Sequence, residues 1–221
     1  KYLVARNLME RISRKELTIF ALLAILLVAV VLLTKFEGGA DTFDYEDTAK
    51  FFAGKYDAKI RTSHSYLYGL IHAPIVGLME NFFIFKITSL VFLFLIVYSV
   101  YIISDKNKKS MWLIALSPII WYMAPWASPI QLSSLLFLWG WHFVKKYEVE
   151  KNLRENILYL FYSGALIGLA WAFWDGILFF IPLFLISFFY DKQLTHAIYF
   201  ILFILVGSLP RIILDQILFG F

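Results

Sequence analysis

The chain has no cysteine and little charge. A disulfide framework, thiolate metal ligands and a cysteine nucleophile are therefore excluded. Only 16% of its 221 residues are charged, against about 25% in an average soluble domain. It also lacks a Gly-x-Ser-x-Gly elbow, a His-Glu-x-x-His pair and a phosphate-binding glycine loop, so the common hydrolase and nucleotide-binding chemistries have no foothold. No alternating ten-residue strand pattern and no convincing internal repeat appears.

What is present is hydrophobic length. Hydrophobic residues make up 61% of the chain. A water-soluble globule of this size could not hide so much apolar surface. A bilayer core about 30 Å thick accepts about 20 apolar residues per helix, and lipid forces each span to satisfy its own backbone hydrogen bonds. The expected fold is all-α: a multi-pass integral membrane protein with about seven transmembrane helices and two short interfacial helices in the first outer loop.

Residues 1–16 form a basic tail with Lys1, Arg6, Arg11, Arg14 and Lys15. The rest, 17–221, reads as one transmembrane domain with an outer loop at 35–81. Expected spans are 17–33, 82–103, 111–125, 128–144, 157–173, a sixth reaching Tyr190 after the Trp174-Asp175-Gly176 break, and a last from His196 onward interrupted at Pro210 and Arg211. The first run is long and no small-residue cleavage site follows it, so it is expected to remain as a span.

The basic residues sit in short clusters beside apolar runs. They read as topology signals and not as a nucleic-acid surface. Seven spans put the tail, the 104–110 and 145–155 loops and Lys192 together on the cytoplasmic side of a cell membrane or endomembrane. The loop 35–81, the turns at 124–129 and 174–176 and the C-terminal end then lie outside or in the lumen.

The outer loop holds the candidate chemistry. Gly38 and Gly39 release the chain. Thr42–Ala53 reads as an interfacial helix, capped by Asp41 or Thr42 and stopped by Gly54. Phe43, Ala49, Phe52 and Ala53 are expected to face the membrane, and Asp44, Asp47 and Lys50 water. Asp41, at a helix start near lipid headgroups, is placed either as a simple cap or as a general base toward a lipid-linked substrate. A second interfacial helix is expected within Arg61–Ile75, carrying His64, Tyr66, Tyr68 and His72. The two histidines, eight apart, can share a face but cannot bind one metal from a single helix.

Three further features lie in the later spans. Arg211 and Asp215 are four apart and can pair along one helix face, or Arg211 can meet a phosphate. Asp175 is either a helix cap or a group facing the same cavity as Asp41. Trp121, Trp126, Trp171 and Trp174 gather at expected outer turns, as interface anchors or as platforms for a sugar ring.

The order of these features resembles the GT-C class of membrane glycosyltransferases. The resemblance rests on the basic tail, one span, and then Asp41, Tyr45, Ala49, Gly54 and Tyr56 in the outer loop. Ser128-Pro129-Ile130-Gln131-Leu132-Ser133-Ser134 and Gly164-Ala165-Leu166-Ile167-Gly168-Leu169-Ala170 add to it. It implies transfer of a sugar from a polyprenyl-phosphate donor, with Asp41 as catalytic base. Asp44, Tyr45, Arg61, His64, Tyr68, Asp175 and Arg211 are the implied substrate-binding residues. Some members of the class use a divalent metal such as Mg or Mn near this loop, and others do not. The class pattern often has a basic residue after the small-residue helix. Phe173-Trp174-Asp175-Gly176 departs from it, leaving Arg61 or Arg211 to supply the charge. Full enzymes usually add further helices and often a soluble domain, so the chain is expected to be a fragment with a missing C-terminal region, a minimal member, or a non-catalytic relative that works with a protein partner. Two rivals stay open: an accessory membrane protein of the same fold, and a transporter subunit. A transporter predicts repeats and charges at the midplane, whereas the charges here lie at helix ends.

Overall fold

The computed structural model describes residues 13–34, 41–55, 66–76, 83–150, 153–190 and 194–220. No strand occurs among them. The elements are α1 (Arg14–Leu33), α2 (Asp41–Phe52), α3 (Tyr66–Val76), α4 (Phe83–Ile103), α5 (Lys108–Ala115), α6 (Pro118–Met123), α7 (Ile130–Val149), α8 (Leu153–Phe173), a 3-10 turn (Asp175–Phe179), α9 (Ile181–Tyr190) and α10 (Leu194–Phe219). Four of these are long and apolar enough to cross a bilayer: α1, α4, α8 and α10. The chain divides into two compact units, residues 1–42 with 81–128, and residues 43–80 with 129–221.

In the first unit, α1 starts on a capping box. Ser13 N–H donates to Glu16 Oε2 at 2.7 Å, and Glu16 N–H donates to Ser13 Oγ at 3.2 Å. Most of α1 beyond that is exposed leucine, isoleucine and valine, with only Leu27 and Val31 buried, against Leu90, Leu93 and Ala124. At the other end of α1, the buried Lys86 of α4 donates to the Thr34 carbonyl at 2.7 Å, meeting one of the acceptors a helix end leaves over. The turn at 124–129 is pinned twice: Ser89 Oγ donates to the Trp126 carbonyl at 2.8 Å, and Thr42 Oγ1 to the Ala127 carbonyl at 3.3 Å.

The expected span 111–125 is instead two short helices. Pro118 is the cause. It removes an N–H and drives Ser117 to an extended ψ of 125°, so α5 ends at Ala115 and α6 starts afresh. Eight and six residues give only about 12 and 9 Å of helix. The sixth expected span is likewise divided, into the 3-10 turn and the ten-residue α9. The fourth, α7, has 20 residues but ends in Lys145, Lys146 and Glu148 and is not among the four spanning helices. The last span is not interrupted: α10 runs unbroken through Pro210. Proline is tolerated in apolar helices of this kind.

The second unit is built on α8, which packs along both α7 and α10. Small residues set the spacing. A Cβ on Gly168 would stand 2.0 Å from the Ile204 carbonyl oxygen, and one on Gly207 would stand 2.1 Å from that of Ala165. Gly164 meets Phe203 in the same seam, and Gly140 of α7 receives Ile167. This is the close backbone approach that glycine four residues apart permits between apolar helices. Leu160, Ile167, Ala170, Phe200 and Ile204 fill the core beside it. Ser133 Oγ donates to the Ala170 carbonyl at 3.0 Å across α7 and α8. Asn156 Nδ2 bonds the Tyr147 and Glu150 carbonyls, both at 3.2 Å, and so caps the end of α7.

Substitution of Gly168 by Val should therefore force the two backbones apart, at a cost of about 1–3 kcal/mol or more. A drop of about 3–9 °C in the thermal midpoint of the detergent-solubilised protein is expected, at about 3 °C per kcal/mol. Val206→Ala, at an exposed position of α10, should move it by less than about 2 °C.

Candidate functional site

The candidate site lies in the second unit, where residues 43–52 of α2 touch α3 through Gly69 and Tyr68 and α3 also meets α8 and α10. α2 ends as its sequence dictates: Gly54 takes φ +92°, and Lys55 N–H closes on the Lys50 carbonyl at 3.0 Å. Gly69 brings α3 onto α2. A Cβ there would meet Thr48 Cγ2 at 2.6 Å and the Ala49 nitrogen at 3.0 Å. Ala49 is fully buried by this contact, and Asp44 is 8% exposed. Both differ from the expectation that Ala49 would face the membrane and Asp44 water. Gly69 of α3 closes on Thr48 and Ala49, and Tyr68 on Tyr45, while Phe43 stays exposed and Asp47 and Lys50 partly exposed, as expected.

Aromatic and polar groups fill the interior of this pair. The Tyr45 and Tyr68 rings meet edge to face at 5.3 Å, and the Tyr68 and His72 rings lie 4.4 Å apart. His72 Nδ1–H donates to the Tyr68 carbonyl at 2.6 Å. Thr48 Oγ1 donates to the Asp44 carbonyl at 2.6 Å. The outer side of the pair is apolar: Leu70, Ile71 and Ile75 of α3 and Phe43 of α2 are exposed. The most exposed side chains of the pair are thus apolar, while Glu46 and Lys50 of α2, an ion pair at 2.8 Å, and Asp47 are half-buried.

Tyr66 stands two residues before Tyr68, about 200° around the helix, and points to α10. Its ring lies 5.2 Å from that of Phe219. Burial, with the Asp215 carboxylate near it, holds the Tyr66 hydroxyl above its ordinary pKa of 10.0. One turn back, Arg211 grips Asp175 with both ends of its fork, Nη1 to Oδ1 at 2.5 Å and Nη2 to Oδ2 at 3.2 Å. Its Nε lies 3.6 Å from Asp215 Oδ2, the expected pair four residues apart. Trp171 Nε1–H donates to Asp175 Oδ1 at 3.3 Å. Asp175 is not the cap, a position held by Trp174; its carboxylate is paired with Arg211. It orients the arginine.

The sequence-predicted residues fall into three groups. Asp44, Tyr45 and Tyr68 are brought together on α2 and α3, and Asp175 and Arg211 are brought together at the end of α8 and on α10. Asp41 opens α2, but its carboxylate lies outside the described atoms, and Arg61 and His64 lie outside the described residues. His72, Tyr66 and Trp171 are named from the sequence but not singled out there as substrate-binding residues. The spacing of Tyr68 and His72, four apart, was the available signal for the first. No three His, Asp or Glu side chains converge among the described residues, and the Asp41 carboxylate and His64, in the loop where the resemblance places a metal, lie outside them.

Two outcomes follow from this geometry. The Arg211–Asp175 contact should show a coupling of about 1 kcal/mol in a double-mutant cycle of Arg211→Gln and Asp175→Asn, read by denaturation in detergent. The figure is held low because Asp175 is 54% exposed. Burial pushes His72 below its ordinary value of 6.5, so the fold holds it neutral while the unfolded chain binds a proton in acid. Stability should be full above pH 6.5 and fall below it, and His72→Gln should flatten that acid limb. Comparison with known proteins finds no matching family model, no matching curated protein and no matching solved structure.

Proposed function

We propose that this chain is a multi-pass membrane glycosyltransferase module that moves a sugar from a polyprenyl-phosphate donor to an acceptor at the outer membrane face. The observation that carries the reading is the α2–α3 pair. It turns Leu70, Ile71 and Phe43 outward and keeps Asp44, Tyr45, Tyr68 and His72 inside. Such a pair suits the headgroup layer, where a lipid-linked sugar would meet polar groups beneath an apolar cover. It also falls in the segment that resembles the acidic loop of the GT-C class.

In this mechanism the Asp41 carboxylate takes the proton of the acceptor hydroxyl. The acceptor oxygen bonds to the anomeric carbon as the bond from that carbon to the phosphate oxygen breaks, and the electron pair leaves with the polyprenyl phosphate. Arg61 steadies the departing charge. Arg211 is a poorer candidate, because its fork already holds Asp175. That same pairing favours a second reading, an accessory membrane protein in which Arg211 is purely structural.

Asp41→Asn should lower glycan transfer in membranes by a factor of about 100 or more, the contribution of a positioned general base. Undiminished transfer would remove the mechanism. Seven spans, with the N-terminal tail in the cytoplasm, are the topology that goes with it. The absence of cysteine makes it simple to test. Single cysteines at Lys55 and Gly220 should react with an impermeant maleimide in intact cells or sealed right-side-out vesicles. Cysteines at Asn107 and Glu150 should react only after permeabilisation. Protection of Gly220→Cys would require an even number of crossings.

A further inference from the structure

We infer that the first unit carries a binding groove for one acyl chain of an anionic phospholipid, at the end opposite the pinned 124–129 turn. The groove runs between α1 and α4 and has a volume of about 490 Å³. Phe20 and Ala24 form one wall, Val97, Tyr98 and Tyr101 the other, and Met111 of α5 closes the end. Ala24 supplies the width, since it is the small side chain between larger neighbours. From Leu17 to Ala24 the groove follows α1 for about 10 Å, a third of the hydrocarbon core. It continues inward as a smaller recess lined by Leu27, Leu93 and Trp121.

The charge around its mouth identifies the occupant. Arg14 and Lys15 lie in the first turn of α1, and Lys108 and Lys109 in the first turn of α5. Lys108 Nζ reaches Glu16 Oε2 at 3.0 Å and ties the two helix starts together. The Phe20 and Trp112 rings, 5.9 Å apart, hold the same junction. A turn with φ of 57° at Asp105 and 62° at Lys106, a left-handed geometry that lysine rarely adopts, returns the chain from α4 to α5. Counting Arg14, Lys15, Lys106, Lys108 and Lys109 against Glu16 and Asp105, five cations face two anions, a net charge of +3. An apolar groove the width of a chain, opening under an excess of positive charge, matches an acyl tail with a negative headgroup. A zwitterionic lipid gains less from that charge, because its own cation offsets its phosphate. Tyr98 and Tyr101 stand on the wall nearest this mouth, where amphipathic rings belong in a bilayer.

The inference needs only that α1 and α4 lie in a membrane. It is independent of the transfer reaction, so either can fail alone. The test uses the full chain in nanodiscs of equimolar phosphatidylglycerol and phosphatidylcholine, followed by detergent extraction and mass spectrometry of retained lipid. Phosphatidylglycerol should be retained about tenfold over phosphatidylcholine. The exposed-site variant Arg14→Gln/Lys15→Gln/Lys109→Gln should abolish the preference, each cation contributing about fivefold or less. Ala24→Trp, which plugs the groove and leaves every charge in place, should abolish retention of both lipids. Equal retention of the two lipids by the unaltered chain would overturn the inference. So would an undiminished preference in the charge variant, or retention unchanged by Ala24→Trp in a protein with a normal thermal midpoint.

Discussion

The backbones of α8 and α10 touch, and the second unit is arranged around that contact. Gly164, Gly168 and Gly207 have no side chain to hold them apart, and any Cβ at Gly168 or Gly207 would enter the facing carbonyl. In lipid there is no hydrophobic drive between helices, so close packing of this kind has to supply the cohesion. It fixes the register of α10, and with it the height of Arg211. At that height the guanidinium meets Asp175 just past the end of α8, and Asp215 and Phe219 stand beside Tyr66 of α3. Slide α10 by one turn, about 5.4 Å, and each of these contacts is lost. The polar end of the unit is a consequence of the seam.

A second constraint acts on α2 and α3. Gly69 lets the pair close, and closure decides which side chains are covered. The covered set contains a carboxylate, two tyrosines and a histidine, while the uncovered set is mostly apolar. Water would favour the opposite arrangement, since exposing leucine and isoleucine forfeits their burial energy. The same sense of polarity runs along α1 beyond its basic first turn, where from Ile19 onward the exposed side chains are aliphatic. Lipid is the surrounding in which both patterns lower the free energy.

The helical class was legible because long apolar runs leave no other choice in a bilayer. The expected span at 17–33 and the helix Arg14–Leu33 agree within three residues, and a helix at 41–52 stands where one was expected at 42–53. Gly54 marks the end of that helix in both. Pro118 was the neglected signal: a proline after serine inside an apolar run ends a helix whatever the hydropathy. Pro210 misled in the other direction, since packing carries α10 through it. At the site, the Arg211–Asp215 pair follows from their spacing on one helix. The stronger Arg211–Asp175 contact joins residues 36 apart, and only the packing of α8 on α10 creates it. The inward turn of Asp44 was illegible for the same reason, since α2 alone does not say which side α3 will cover.

The central claim is that the α2–α3 pair receives a lipid-linked sugar phosphate. Photocrosslinking in membranes with a diazirine-bearing polyprenyl-phosphate sugar tests it most directly. Adducts mapped by peptide mass spectrometry should concentrate in residues 41–76 and be displaced by excess unlabelled donor. Labelling spread along α1 and α4 with none in 41–76, or labelling that excess donor leaves unchanged, would contradict the account.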